Sequence, residues 1–99
     1  MARVSVSGLA RQDVRDHLSY LRQHAGLTVA RRYGEDFKAA YRRLADFPES
    51  GPPRPALGPN ARIKIVPPYL LIYDYEGGAV RLLRVVHGQR DISEKLVRR

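Results

Sequence analysis

The sequence from residue 69 to residue 92 reads YLLIYDYEGGAVRLLRVVHGQRDI, and the rest of the chain is organised around this stretch. Its first part, Tyr69–Tyr75, is rich in β-branched and aromatic residues, which favour strands. Glu76–Gly78 has the composition of a tight turn, and Ala79–His87 again favours a strand. The stretch therefore predicts a β-hairpin with two long strands near the centre of a sheet.

The residues that follow the second strand are the ones best suited to chemistry. His87, Arg90 and Asp91 place an imidazole, a guanidinium and a carboxylate at one end of the hairpin. The ordinary pKa of histidine, about 6.5, lets His87 act as an acid or as a base near neutrality. A carboxylate beside arginines usually engages one of them, so we expect Arg90 and Asp91 to form a structural ion pair.

Two helices are predicted in the N-terminal half. The alternating segment at residues 3–7 suits a short strand, and Ser7 or Gly8 then opens a helix that ends at Ala25–Gly26. Thr28 is the expected N-cap of a longer second helix, which Pro48 stops. With about four residues between them, the helices should form an antiparallel hairpin whose apolar stripes face the sheet and each other.

The segment between the second helix and the hairpin strands is irregular. Residues 48–59 are rich in proline and glycine, so we expect a stiff surface connection that packs Leu57 over one edge of the domain. Arg62–Val66 alternates and predicts a further strand. Together the elements predict an α+β fold in one domain, residues 1–99, with an N-terminal strand and a helical hairpin packed on a small, mainly antiparallel sheet.

Both faces of the predicted sheet are apolar. Leu71 and Tyr73 share one face of the first hairpin strand, and Leu83 and Val85 share one face of the second. One helical hairpin covers only one face, so the C-terminal tail or a partner protein must cover the other. The tail, Asp91–Arg99, suits a short helical turn and is too short to cover much. We therefore expect these four apolar residues to contact a partner protein.

Composition narrows the possible functions. The chain has no cysteine and only three scattered histidines, so we expect neither a metal nor a cofactor. It lacks an apolar run of the roughly 18 residues that span a membrane, and it lacks a signal-peptide core, which predicts a cytoplasmic protein. The net charge of +8, with arginine as 15 of the 18 basic residues, suits an anionic partner such as nucleic acid or an acidic protein segment.

The order of elements and several motifs resemble the RelE/ParE superfamily of bacterial toxins, and within it the ParE branch. The most specific motif is the last strand with its end, Leu83–Ile92, which reads LRVVHGQRDI. The other residues that carry the resemblance are, in chain order, Phe47–Gly51, Arg54, Leu57, Arg62, Tyr69 and Tyr73.

The resemblance implies the toxin of a toxin–antitoxin pair, neutralised by a small antitoxin that is expected to be of the ribbon-helix-helix type. The antitoxin is then the partner expected to contact Leu71, Tyr73, Leu83 and Val85. ParE-like toxins are held to inhibit DNA gyrase by binding, so no catalytic residue is expected. RelE-like toxins instead cleave messenger RNA on the ribosome, and for that alternative the catalytic candidates are His87, Arg84, Arg90 and Arg62. RelE-like enzymes generally supply a further basic or aromatic residue near the C-terminus, whereas no tyrosine or histidine follows His87 here. A third alternative is a non-toxic protein that only binds the antitoxin.

Overall fold

Six helices and strands and two short 3₁₀ turns make up the structure, a computed structural model that describes residues 1–99. In chain order the elements are β1 (Arg3–Val6), α1 (Gly8–Ala25), α2 (Leu27–Asp46), β2 (Ala61–Val66), β3 (Tyr69–Glu76) and β4 (Ala79–His87). The 3₁₀ turns are Pro55–Leu57 and Glu94–Leu96. The strands form one sheet in the order β1-β4-β3-β2, in which β1 is parallel to β4 and the other pairs are antiparallel. The predicted α+β architecture is confirmed.

Ser7 begins the helical hairpin, and Gly26 forms the turn between its two helices. Ser7 caps α1, because its Oγ accepts a hydrogen bond from the Ala10 amide (3.0 Å). Gly26 alone separates α1 from α2, with φ 95° and ψ 166°, a region that is essentially restricted to glycine. The predicted four-residue connection and the Thr28 N-cap are therefore wrong, since one glycine reverses the chain and α2 begins at Leu27.

A β-bulge changes which residues of β4 share a face. Ile72 pairs with Arg84 and Tyr73 pairs with Leu82, so Leu83 is an extra residue on β4. An extra residue shifts the side-chain alternation by one position. As a result Val85 points to the same side as Leu82, and the prediction that Val85 and Leu83 share a face is wrong.

Each face of the sheet has its own apolar core. The core between the helices and the sheet contains Ala10, Phe37, Ala40, Leu44, Tyr69, Leu71, Tyr73, Val80, Leu82 and Val85. The core on the opposite face contains Leu57, Ala61, Ile63, Ile72, Leu83, Val86, Leu96 and Val97. The proline-rich segment supplies Leu57 and the tail supplies Leu96 and Val97, each worth about 1.5–3 kcal/mol on full burial. The chain thus covers its second face itself, and the prediction that the tail is too short for this is wrong.

Arginines hold the tail in place. Arg84 donates a hydrogen bond to the Leu96 carbonyl (2.9 Å), and Arg99 donates two hydrogen bonds of 2.8 Å to the carboxylate of Asp74 in β3.

Neither helix is long and apolar enough to cross a membrane.

Candidate functional site

The end of β4 presents His87 to solvent. His87 pairs with Tyr69 across the β3–β4 ladder, and the two rings lie edge to face with centroids 5.9 Å apart. The Nδ1 atom of His87 accepts a hydrogen bond from the Gln89 amide (3.2 Å), and the side chain is exposed. The imidazole is accessible, as a role in binding or proton transfer requires.

Arg84 is committed to a structural ion pair. Its guanidinium donates two hydrogen bonds to the carboxylate of Asp13 in α1, at 2.7 and 2.9 Å, in addition to the bond to Leu96. Both side chains are only 13% exposed. The hydrogen bonds to Asp13 raise the pKa of Arg84, so the guanidinium stays charged and paired. Few of the N–H groups of the Arg84 guanidinium remain free to bind a phosphate.

Arg62 lies in a different part of the sheet. It pairs with Tyr73 across the β2–β3 ladder, whereas His87 lies beside Tyr69, four residues along the same strand. At about 3.3 Å per residue, this displacement alone is roughly 13 Å. Arg62 donates to the carbonyls of Gly51 (2.8 Å) and Glu49 (3.2 Å) and so anchors the proline-rich segment. The four candidates for RNA cleavage are therefore not brought together.

The predicted ion pair between Arg90 and Asp91 is absent. Both residues are exposed in the turn after β4, and neither takes part in any of the ion pairs. The arginine of this region that does form an ion pair is Arg84, and its partner is Asp13 in α1. In the turn the backbone amide of Arg90 donates to the His87 carbonyl (3.0 Å), and the two charged side chains face water.

Side chains of α1 close the free edge of β4, a feature that the sequence analysis missed. Because β1 ends at Val6, the last residues of β4 have no strand on that side. Ser7 Oγ donates to the Leu83 carbonyl (2.9 Å), Asp13 accepts from the Val85 amide (2.9 Å), and His17 Nε2 donates to the Val85 carbonyl (2.7 Å). The available sequence signal was the i, i+4 pair Asp13 and His17 beside the apolar stripe of α1.

The four residues predicted to contact a partner form no surface. Leu71, Tyr73, Leu83 and Val85 are all fully buried within the chain. Three of them pack under the helices, and Leu83 packs under the tail. Because the chain covers both faces of the sheet, a partner has no access to them.

The apolar surface that does remain open is a groove along the junction of α1 and α2. We call it the hairpin groove; it has a volume of about 620 Å³. Its apolar lining comes from Val14, Leu18, Leu27, Ala30, Phe37 and Tyr41. Gly34 contributes to its wall, at a place where a β-carbon would lie 3.7 Å from the Leu18 side chain.

The hairpin groove continues to the edge of the sheet. Two smaller depressions extend it past Tyr41, first to Val6 and then to Val4 and Ala2. β1 is paired only with β4, so its outer edge is free. The charged side chains along this path are Arg11, Arg15, Arg31, Lys38, Arg42 and the single carboxylate Glu35. An elongated segment with apolar anchors and acidic groups fits such a surface.

The architecture matches that of a solved toxin–antitoxin protein. The structure described as the chromosomal ParDE TA system from P. aeruginosa superposes with a TM-score of 0.74, over 88% of this chain and 96% of that chain, at 18% sequence identity. The family model for the ParE toxin of type II toxin–antitoxin systems, parDE, matches residues 4–92. This chain therefore belongs to the ParE toxin family. No curated protein matches the sequence.

Proposed function

We propose that this protein is a single-domain toxin that inhibits DNA gyrase in the cytoplasm and is neutralised by a small antitoxin, of the ribbon-helix-helix type, bound in the hairpin groove. Membership of the ParE toxin family supports the toxin role. The observation that carries the antitoxin site is the hairpin groove itself, which is apolar along its floor and is lined by five cations and one carboxylate.

The groove fits an antitoxin segment in two ways. An amphipathic helix can lay its apolar face between α1 and α2 while its acidic residues meet Arg11, Arg15 and Arg31. Beyond Tyr41, an extended continuation can add a strand to the free edge of β1. One antitoxin chain that uses both modes lies across the two helices and then along the edge of β1.

Inhibition by binding is favoured over cleavage of messenger RNA. Cleavage that uses the 2′-hydroxyl needs an acid, a base and guanidinium groups around one phosphate. Arg84 is held by Asp13, and Arg62 lies far along the sheet from His87. Inhibition of gyrase by binding does not require these groups to lie close together.

The groove assignment is tested with a matched pair of substitutions, Leu27→Asp and Leu9→Asp. Leu27 is 45% exposed in the groove, and Leu9 is 39% exposed outside it. Both residues lie in the first turn of a helix, where aspartate is tolerated. A carboxylate in the groove should repel an acidic antitoxin, so calorimetric titration should show about 100-fold weaker binding for Leu27→Asp.

The control should bind the antitoxin as the parent does. In cells, Leu27→Asp should remain toxic when the antitoxin is co-expressed, whereas Leu9→Asp should be neutralised. Equal affinities of the two variants would show that the antitoxin binds elsewhere. A folded parent chain that never arrests growth would support the non-toxic, antitoxin-binding alternative.

A further inference from the structure

Aromatic and imidazole rings collect at one end of the molecule, where α1 ends, α2 begins, β3 begins and β4 ends. We call this surface the aromatic pole and define it by Tyr20, His24, Tyr33, Tyr69 and His87. Tyr20 and His24 stack on each other with ring centroids 4.2 Å apart, and Tyr20 is 60% exposed. A stacked pair of rings at a helix surface leaves an outer ring face open to solvent.

Tyr69 is the centre of the aromatic pole. Its ring is buried, with ring centroids at 4.7 Å from His17, 5.7 Å from Tyr33, 5.4 Å from Phe37 and 5.9 Å from His87. Its hydroxyl takes part in no side-chain hydrogen bond of the chain and is not sealed from solvent. Burial and the neighbouring phenols of Tyr33 and Tyr20 raise the pKa of Tyr69.

The segments that supply the rings of the aromatic pole are rich in basic residues. Residues 17–34, 66–72 and 85–90 contain no aspartate or glutamate. The same segments contain Arg22, Arg31, Arg32 and Arg90, together with all three histidines of the protein. The nearest acidic residues in sequence, Asp16, Glu35, Asp36 and Asp91, lie just outside these segments.

We infer that the aromatic pole binds single-stranded nucleic acid, with unpaired bases stacking on its exposed rings, those of Tyr20, His24 and His87, and phosphates contacting its arginines. Stacking platforms beside positive charge are the usual means by which proteins hold single strands. A duplex keeps its base faces stacked internally and cannot use the rings. An acidic peptide would also use the arginines, whereas a stacked, exposed ring beside positive charge matches the flat base and the phosphate of one nucleotide. The rings of the aromatic pole lie outside the hairpin groove, with which this surface shares Arg31, and the inference does not depend on gyrase.

The test is fluorescence anisotropy of the full-length protein with labelled oligothymidylate and oligouridylate of about 15 nucleotides, and with a duplex of the same length. Tyr20→Ala removes one stacking ring. Phe47→Ala is the matched control, because Phe47 is 57% exposed and lies beside Arg43 just beyond the opposite end of α2. Tyr20→Phe keeps the ring and removes only the hydroxyl. Circular dichroism establishes that each variant is folded.

We expect the parent to bind both single strands more tightly than the duplex. Tyr20→Ala should weaken that binding by about 5-fold or more, while Phe47→Ala and Tyr20→Phe should leave it unchanged. Absence of binding, equal affinity for the duplex, or equal losses in Tyr20→Ala and Phe47→Ala would each overturn the inference. Equal affinity for the duplex would reduce the interaction to non-specific attraction between charges, and equal losses in the two variants would show that Tyr20 is not a specific stacking site.

Discussion

At the residue scale, Arg84 connects three separate parts of the fold. Its guanidinium joins β4 to α1 through Asp13 and to the tail through the Leu96 carbonyl. Asp13 in turn accepts a hydrogen bond from the Val85 amide. Because both charged groups are largely buried, removal of either partner leaves the other unpaired in the interior.

We predict that Arg84→Ala lowers the free energy of unfolding by about 3 kcal/mol. Arg81→Ala, on the same strand but exposed, should change it by less than about 0.5 kcal/mol. Urea denaturation of the two variants gives the comparison. Similar losses in both would mean that the Asp13–Arg84 pair contributes no more than a surface charge.

The partner of Arg84 could not have been found from the sequence. Asp91 was favoured as a partner for a nearby arginine because it is close in sequence, whereas Asp13 is 71 residues from Arg84. Proximity along the chain predicts contacts only within a helix or a turn. The Asp13–Arg84 pair depends on how α1 crosses β4, which is a property of the tertiary structure.

At the scale of elements, the helical hairpin depends on Gly26. Its φ and ψ angles lie in a region where a β-carbon is strained by about 1–3 kcal/mol. Sequence periodicity predicted both helices correctly, but it placed the second start at Thr28, because it assumed that a reversal needs several residues. One glycine in this conformation is enough.

Gly26→Ala should therefore lower the free energy of unfolding by about 1–3 kcal/mol. Gly8→Ala is the matched control, since Gly8 also lies at a helix start, lacks a positive φ and has open space where a β-carbon would stand. Thermal unfolding followed by circular dichroism should show a lower midpoint for Gly26→Ala alone. Equal midpoints would contradict the strain argument.

The strands show the limit of alternation as a guide to burial. The strand positions and the antiparallel hairpin of β3 and β4 followed from composition and turn residues. The bulge at Leu83 did not, because alternation assumes an uninterrupted ladder. One extra residue moved Val85 beneath the helices and left Leu83 on the opposite face.

At the scale of the whole molecule, the chain covers both faces of its sheet. The sequence showed correctly that two faces needed cover. It underestimated the tail, because the cover combines Leu96 and Val97 of the tail with Leu57, which lies about 40 residues earlier in the chain. The buried sheet faces consequently offer no surface to a partner, and the hairpin groove stays open along the helices.

Stability should fall at alkaline pH because of the tyrosines. Burial raises the pKa of Tyr41, Tyr69 and Tyr73, so the folded chain holds these protons to higher pH than the unfolded chain, where tyrosine titrates near 10. These groups therefore do not alter stability below about pH 9, and they reduce it as the pH rises through about 10 and above.

Urea midpoints measured between about pH 8 and pH 11 should fall steeply in the upper half of that range. Tyr73→Phe should make the fall shallower, because one of the buried phenols is removed. A fall of the same steepness in this variant would show that Tyr73 does not contribute to the pH dependence.

The central claim is that the protein inhibits gyrase by binding, and a supercoiling assay with purified gyrase tests it most directly. We predict that the protein blocks supercoiling and traps cleaved DNA, that the antitoxin reverses both effects, and that His87→Ala inhibits as strongly as the parent. Undisturbed supercoiling by a folded protein that is toxic in cells would contradict the claim. If His87→Ala then abolished that toxicity, cleavage of messenger RNA would become the leading explanation.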